Sequence, residues 1–232
     1  MGIIHIYNNS KDYLPPKYRQ DFIKQSINTD VSGIYPKVNY MLFWEESTAN
    51  NKNQINDICK KAGASVLFMG FYGLKGSKKD PNVLSSGVAF LSLYCSCTLV
   101  IMKQPITRAT EPKYSWLVCY DGSSKCVQAI EFLKKYANPS KDKFELVVVK
   151  SPAFKPALPK VEGFKVTVLE IGLQSNLEVS AALVKYCTSL DDTLNFVLFG
   201  NKGSDAMNHK GDYIGSVARE LILKVPENII LL

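Results

Sequence analysis

Short apolar runs alternate with amphipathic segments through the second half of the chain. Residues 114–120 and 144–149 are apolar over most of their length, which is typical of strands covered on both faces. Between these runs, apolar residues recur at three- and four-residue spacing and predict a helix, with inward positions Cys126, Ala129, Ile130, Leu133, Tyr136 and Ala137. The pattern therefore predicts a strand, a helix and a second strand.

The alternation continues to residue 232. Further apolar runs at residues 164–169, 194–199 and 228–232 predict three more strands, and helical spacing predicts a helix before and after the second of these runs. Pro152, Pro156 and Pro159 favour an extended loop, not a helix, between the second and third strands. Apolar strands that alternate with helices predict an α/β fold with open, mainly parallel sheets and helices on both faces.

The first half of the chain repeats the later part of this plan. Val-Leu-Phe-Met-Gly at residues 66–70 matches Phe-Val-Leu-Phe-Gly at residues 196–200, and Gly73 matches Gly203. Ser86-Gly87-Val88 is aligned with Ile214-Gly215-Ser216, and residues 97–102 with the closing strand. Two copies are predicted, the N-terminal copy at residues 1–103 and the C-terminal copy at residues 114–232, with residues 104–113 as linker.

The N-terminal copy is predicted to be truncated. Apolar runs at residues 2–7 and 38–44 and a helical face around Ile55 and Cys59 precede the matched strand. No counterpart of the opening strand, its Asp-Gly-Ser turn or the first helix is present. Thirteen residues separate Gly73 from Gly87, and Val88 stands at the position assigned to Ser216. We therefore expect no nucleotide in this copy.

Composition and charge narrow the class of protein. Of 232 residues, 46% are hydrophobic and 21% are charged, which is the balance of a folded chain. The net charge of +7 is scattered, so it indicates no specific nucleic-acid partner. No apolar run is long enough for a membrane span and no signal peptide is evident, so a cytoplasmic protein is expected.

The six cysteines lack the CxxC spacing of many zinc and redox sites and are expected to be reduced core thiols. Cys95 and Cys97 form the one closely spaced pair, and two ligands do not make a metal site. We therefore predict no metal ligands among the side chains.

The order of strands, helices and glycines is similar to that of the universal stress protein domain. The resemblance rests on Asp121-Gly122-Ser123 after the first strand, Gly200 and Gly203 after the fourth, and Gly215-Ser216 at a helix start. Eleven residues separate Gly203 from Gly215, where the nucleotide-binding branch usually has nine. The resemblance implies the adenine nucleotide α-hydrolase-like fold. It also implies an intramolecular pseudo-dimer through the closing strands, with further homo-oligomers left open.

The resemblance also implies a site for ATP or AMP, with Mg²⁺ or Mn²⁺ as a candidate companion of the phosphates. Its predicted residues are Asp121, Gly122 and Ser123 near the ribose or phosphates, Val149 and Lys150 beside the adenine, and Gly200, Gly203, Gly215, Ser216 and Val217 along the phosphate path. Asn201, Lys202 and Lys210 are added on charge and polarity alone. Glycine lets phosphates approach the backbone, and a helix start offers unpaired amides.

Structural roles for these residues stay open at this point. In the purely structural alternative, Gly200 and Gly203 form a turn, Asp121 stabilises a turn and Ser216 caps a helix, and none of them binds a ligand. The favoured function is a nucleotide-binding stress-response protein that is not a dedicated enzyme, since no catalytic base is visible. The alternative is an interaction or dimerisation module that binds no nucleotide. A related α-hydrolase enzyme is disfavoured because the phosphate-loop signature is absent after the first strand.

Overall fold

The computed structural model describes residues 1–8, 15, 19–34, 40–48, 50–71, 83–104, 113–150, 155–158, 161–171, 176–190, 193–202 and 213–232. Nine strands lie within these residues, namely β1 (Gly2–Tyr7), β2 (Met41–Glu46), β3 (Val66–Gly70), β4 (Thr98–Met102), β5 (Ser115–Tyr120), β6 (Lys143–Lys150), β7 (Lys165–Glu170), β8 (Phe196–Phe199) and β9 (Asn228–Leu231). The described helices are α1 (Gln20–Ile34), α2 (Asn51–Lys61), α3 (Ser86–Tyr94), α4 (Ser124–Tyr136), α5 (Asn176–Ser189) and α6 (Ser216–Lys224). None of them is long and apolar enough to span a membrane.

The chain divides into two compact units, Met1–Gly63 and Ala64–Leu232. In the first unit, β1 and β2 form a parallel pair in which Gly2 lies opposite Met41. His5 stacks on Trp44 with ring centroids 4.5 Å apart, and burial lowers the pKa of His5. The division falls inside the predicted N-terminal copy, residues 1–103. The end of that copy at residue 103 and the start of the C-terminal copy at residue 114 stay predictions.

Helix α1 was not predicted. Its half-buried apolar positions include Ile23, Ile27 and Val31, which recur every fourth residue. This spacing is the signal that sequence reasoning could have used. The prediction of a loop between the second and third strands of the C-terminal copy agrees with residues 155–158 and 161–164. This described part of the connection contains no helix.

The second unit contains a seven-stranded sheet in the order β3-β4-β9-β8-β5-β6-β7. Neighbouring strands are parallel except β4 and β9, so the predicted α/β class with a mainly parallel sheet is confirmed. Helix α4 covers the middle of the sheet, and Ala129, Ile130 and Leu133 share one buried cluster with Val118 and Leu198. Buried apolar surface stabilises by about 25 cal/mol per Å², so this cluster stabilises the packing of α4 on the sheet.

The antiparallel contact between β4 and β9 joins the two groups of strands. Val100 lies opposite Ile230, and Leu99 and Ile101 lie opposite Leu231 and Ile229. The elements flanking this contact are equally spaced, because β3, α3 and β4 begin 130 residues before β8, α6 and β9. Val100 and Ile230 are therefore equivalent residues that pair with each other, as in a two-fold symmetric interface. The predicted pairing of the closing strands is confirmed, while a pseudo-dimer of two whole copies stays a prediction.

The alignment of Gly87 with Gly215 is wrong by two residues. The residue that caps α3 is Ser85, and the residue that caps α6 is Gly215. These two caps are 130 residues apart, as the strands are, so Ser86 and not Val88 corresponds to Ser216. The N-terminal copy therefore keeps the hydroxyl, and its loop is as long as that of the C-terminal copy. Glycine identity misled the alignment, because the cap position is defined by backbone dihedrals.

Strand β3 differs from its equivalent β8 in its neighbours. Strand β8 lies between β5 and β9, whereas β3 pairs with β4 alone among the described strands. As a result Leu198 is fully buried, while Phe68 at the equivalent position is 64% exposed. Because no described strand takes the place beside β3 that β5 has beside β8, β3 presents an apolar edge that carries no charged residue.

Lys103 marks the end of β4 at the contact with β9. Its ammonium donates a hydrogen bond to the Val225 carbonyl and lies 4.8 Å from the centre of the Phe71 ring. Its backbone N–H donates to Asn228 Oδ1 over 2.8 Å. Burial lowers the pKa of Lys103 to about 8, although the nearby Glu227 carboxylate opposes this shift. A lysine with this pKa carries an unfavourable desolvation cost at neutral pH.

We expect Leu198→Ala to lower the free energy of unfolding by about 2–5 kcal/mol, because it empties a buried site. Phe68→Ala, at the equivalent exposed position, is expected to change it by less than about 1 kcal/mol. Urea unfolding of both variants measures the difference. Equal losses would show that Phe68 is covered in solution.

We expect the stability of the parent to rise, relative to a Lys103→Met variant, as pH increases from about 8 to about 10.5. In this window the unfolded chain binds more protons at Lys103 than the folded chain does, so raising the pH favours folding. Below about pH 8 the difference between the two proteins should be constant. Free energies of unfolding at several pH values test this, and a difference independent of pH contradicts the lowered pKa.

Candidate functional site

The order of the second sheet reverses between β5 and β8. From β5 the chain continues through α4 to β6 on one side, whereas β8 and β9 lie on the other side. Ligands of open parallel sheets bind at such a reversal, beyond the carboxyl ends of the strands. Asp121 follows β5 and Gly200 follows β8, so both predicted segments lie at this point.

The turn after β5 is held by Asp121. Its Oδ1 accepts a hydrogen bond of 2.9 Å from the backbone N–H of Ser123, the residue that caps α4. Gly122, between them, has a φ of +79°, a conformation that favours glycine. Asp121 Oδ1 therefore stabilises the turn, which is the structural role that the sequence left open for this residue.

Cys126 supports the same turn and was not predicted to do so. Its thiol donates to Asp121 Oδ1 at 2.9 Å, and the Asp121 N–H donates to its sulfur at 3.3 Å. Burial and the Asp121 charge raise the pKa of Cys126 to about 12. The thiol therefore remains protonated at neutral pH and acts as a hydrogen-bond donor. Sequence reasoning placed Cys126 only on the buried face of the helix.

Gly200 is required by close packing. A Cβ at this residue would lie 2.7 Å from Cβ of Lys125, in the first turn of α4, and 3.3 Å from the carbonyl oxygen of Lys202. This contact brings the end of β8 against the start of α4. It also places Lys125, a cation that the sequence analysis did not select, beside the predicted phosphate path.

Asn201 connects the end of β8 to two helices. Its carbonyl accepts a hydrogen bond of 3.0 Å from the N–H of Gly215, the residue that caps α6. Its side-chain amide donates to the carbonyl of Ser92 in α3 at 3.0 Å. The backbone of Asn201 therefore belongs to the site, while its side chain is directed toward α3. Charge and polarity alone had suggested a contact with phosphate.

The helix starts of α3 and α6 differ in one respect that bears on anion binding. The Ser85 hydroxyl accepts a hydrogen bond of 3.2 Å from the N–H of Val88 and so caps α3. Gly215 has no side chain with which to cap α6, although its backbone has nearly the same dihedrals as that of Ser85. The first turn of α6 therefore lacks the side-chain oxygen that α3 has, which leaves its backbone N–H groups without a side-chain acceptor, as in many helix N-termini that donate to anions.

The remaining predicted residues differ in burial and in whether the structure describes them. Val149 is buried at the end of β6, and the carbonyl of Lys150 accepts a hydrogen bond from the N–H of Ile171 at 2.9 Å. Lys202 and Val217 are half-buried, and Ser216 is exposed. Gly203 and Lys210 lie outside the described residues. In the described parts of the chain, no three His, Cys, Asp or Glu side chains come together as a metal site.

We expect Gly200→Ala to lower the free energy of unfolding by about 1–3 kcal/mol, because the new methyl group overlaps Lys125. Gly87→Ala in α3 is the matched control, since its nearest atom would be 3.9 Å away. The control should be neutral or slightly stabilising, as alanine favours a helix. Equal stability of both variants in urea would contradict the close approach.

Comparisons with known proteins identify the fold. No family model and no curated protein sequence matches the chain. Among solved structures, it is similar to a functionally unknown protein from Pseudomonas aeruginosa PAO1, with a TM-score of 0.67 and 11% identity over 100% of this chain and 81% of that chain. A protein from Pseudomonas aeruginosa UCBPP-PA14, assigned provisionally to the universal stress proteins, has a TM-score of 0.66 and 10% identity over 100% and 81% of the two chains.

A universal stress protein from Archaeoglobus fulgidus DSM 4304 has a TM-score of 0.60 and 14% identity, and the match covers 99% of this chain and 86% of that chain. These identities are low, so the similarity concerns the three-dimensional arrangement. The chain has the α/β fold of the universal stress proteins.

Proposed function

We propose that this chain is a universal stress protein whose C-terminal copy binds an adenine nucleotide, ATP or AMP. The observation that carries the proposal is the meeting of three segments where the sheet order reverses. The turn at Asp121, the close-packed Gly200 and the uncapped start of α6 at Gly215 lie together there. Crevices of this kind collect phosphate-binding loops in open α/β sheets.

The difference between the two equivalent helices supports a single site. Phosphate oxygens would accept hydrogen bonds from the amides at the start of α6, where the helix dipole also favours an anion. At the start of α3, the Ser85 hydroxyl already accepts a hydrogen bond from the backbone N–H of Val88. The Cβ and Cγ atoms of Lys125 and the backbone of Lys202 lie beside Gly200, and their ammonium groups would supply positive charge to the phosphates. We therefore place the nucleotide in the C-terminal copy alone.

A divalent cation, Mg²⁺ or Mn²⁺, would be held mainly by the phosphates and by water, as Mg²⁺ often is. Asp121 brings a carboxylate to the site, and its Oδ1 is engaged by Ser123 and Cys126. We propose a binding role and no dedicated catalysis. Occupancy would then act by stabilising the fold or by changing the choice of partner.

Binding is expected to raise the melting temperature. A ligand at about 100 times its Kd stabilises a protein by about 2.7 kcal/mol, so millimolar ATP or AMP with Mg²⁺ should give a clear shift. Isothermal titration calorimetry then gives the Kd. If no adenine nucleotide binds, the chain is better described by the alternative, an interaction module without a nucleotide.

Gly215→Asp tests the location of the site. Aspartate is a good helix cap, so the fold should be kept or slightly stabilised, while its carboxylate occupies and repels the phosphate position. We expect the affinity for ATP to fall at least about tenfold, or ~1.4 kcal/mol. The matched control is Ser85→Asp, the same charge at the equivalent cap of α3, which should leave the affinity unchanged. If Gly215→Asp binds ATP with the same affinity as the parent and Ser85→Asp, the nucleotide binds elsewhere.

A further inference from the structure

Cys95 and Cys97 lie in the short turn between α3 and β4. Their sulfur atoms are 3.6 Å apart, within contact distance. Both sides of the turn are anchored, because the N–H of Cys95 donates to the Leu91 carbonyl at 3.0 Å and the N–H of Thr98 donates to the Ser65 carbonyl at 3.2 Å. The backbone therefore holds the two thiols toward each other.

These two thiols are also the most accessible of the six. Cys95 and Cys97 are half-buried, whereas Cys59, Cys119, Cys126 and Cys187 are buried, with exposed fractions of 2%, 7%, 1% and 0%. Burial contributes to the raised pKa values of Cys119 and Cys126, which makes their thiolates scarce at neutral pH. A small oxidant in solution therefore meets the Cys95 and Cys97 pair first.

We propose that Cys95 and Cys97 are a site of reversible disulfide formation, driven by exchange with a small-molecule disulfide. A bonded pair requires a sulfur–sulfur distance of about 2.05 Å, so the two sulfurs must approach by roughly 1.5 Å. Side-chain rotation within the turn provides this movement. The proposal does not depend on nucleotide binding.

The reaction proceeds in two exchange steps. The thiolate of one cysteine attacks a sulfur of the small disulfide, forms a mixed disulfide and releases one small thiol. The second cysteine thiolate then attacks the protein sulfur of that mixed disulfide, closes the Cys95–Cys97 bond and releases the second small thiol. The protein loses two S–H protons and two electrons, and the small disulfide is reduced to two thiols.

Reversibility follows from the spacing of the pair. One residue between the cysteines makes the ring small, and strained disulfides are more easily reduced than relaxed ones. Ser92, one helical turn before Cys95, accepts the side-chain hydrogen bond of Asn201. Oxidation would therefore act on the end of the helix that Asn201 contacts.

The test treats the folded full-length protein with glutathione disulfide, traps the remaining thiols with N-ethylmaleimide under denaturing conditions, and measures mass. We expect two of the six thiols to be lost without a glutathione adduct, and a reductant to restore them. The tryptic peptide of residues 80–103 contains Cys95 and Cys97 and no other cysteine, so the disulfide should map within it. Six trapped thiols, or a bond between this peptide and another, would overturn the proposal.

Variants separate this pair from its rival. In Cys95→Ser and Cys97→Ser, the remaining thiol has no resolving partner and should accumulate a glutathione adduct. Cys187→Ala is the control, since the neighbouring Cys187 thiol is the main cause of the raised pKa of Cys119 and these two cysteines form the competing pair. The control should still lose two thiols. If the loss disappears in Cys187→Ala and persists in Cys95→Ser, the proposal is wrong.

Discussion

The antiparallel pairing of β4 with β9 is the contact on which the seven-stranded sheet depends. Without it, β3 and β4 would be a two-stranded parallel piece, which is marginally stable in water. With it, Val100 enters the same buried cluster as Leu198 and Ile230, so the strand pair shares a core with the five strands from β5 to β9. The pairing also places equivalent residues opposite each other and so gives the sheet a local two-fold relation.

The two sides of this relation have different environments. Strand β8 has β5 beside it and α4 above it, while β3 ends the sheet. The same sequence position is therefore a fully buried leucine in β8 and a largely exposed phenylalanine in β3. A helix start is likewise capped by Ser85 in α3 and uncapped at Gly215 in α6. The two equivalent helices thus differ in whether a side chain occupies the first-turn amides, which is the difference on which the proposed anion site rests.

The candidate site depends on a buried polar arrangement as well as on glycine. Asp121 fixes the turn after β5 through Ser123 and the Cys126 thiol, and a protonated thiol is a donor suited to a carboxylate neighbour. Gly200 lets β8 end directly against Lys125. Both features fix strand ends that the phosphate groups would approach under the proposed function.

Sequence alone determined most strands and helices of the C-terminal copy, because continuous apolar runs and the 3.6-residue period are local properties of the chain. The sequence also correctly predicted that Asp121 and Gly200 follow strands and that Gly215 lies at a helix start. The sequence interpretation missed α1. Its apolar residues recur every fourth position, but polar residues between them make the pattern weak. The sequence interpretation also misaligned Gly87, because residue identity does not reveal which residue is the helix cap.

Tertiary structure alone decided the partners of these residues. The contact of Gly200 with Lys125, the direction of the Asn201 side chain toward Ser92 and the bond between Cys126 and Asp121 all depend on how elements pack. Local periodicity carries no information about such contacts, since they join residues from different strands and helices or lie around a turn whose geometry the fold sets.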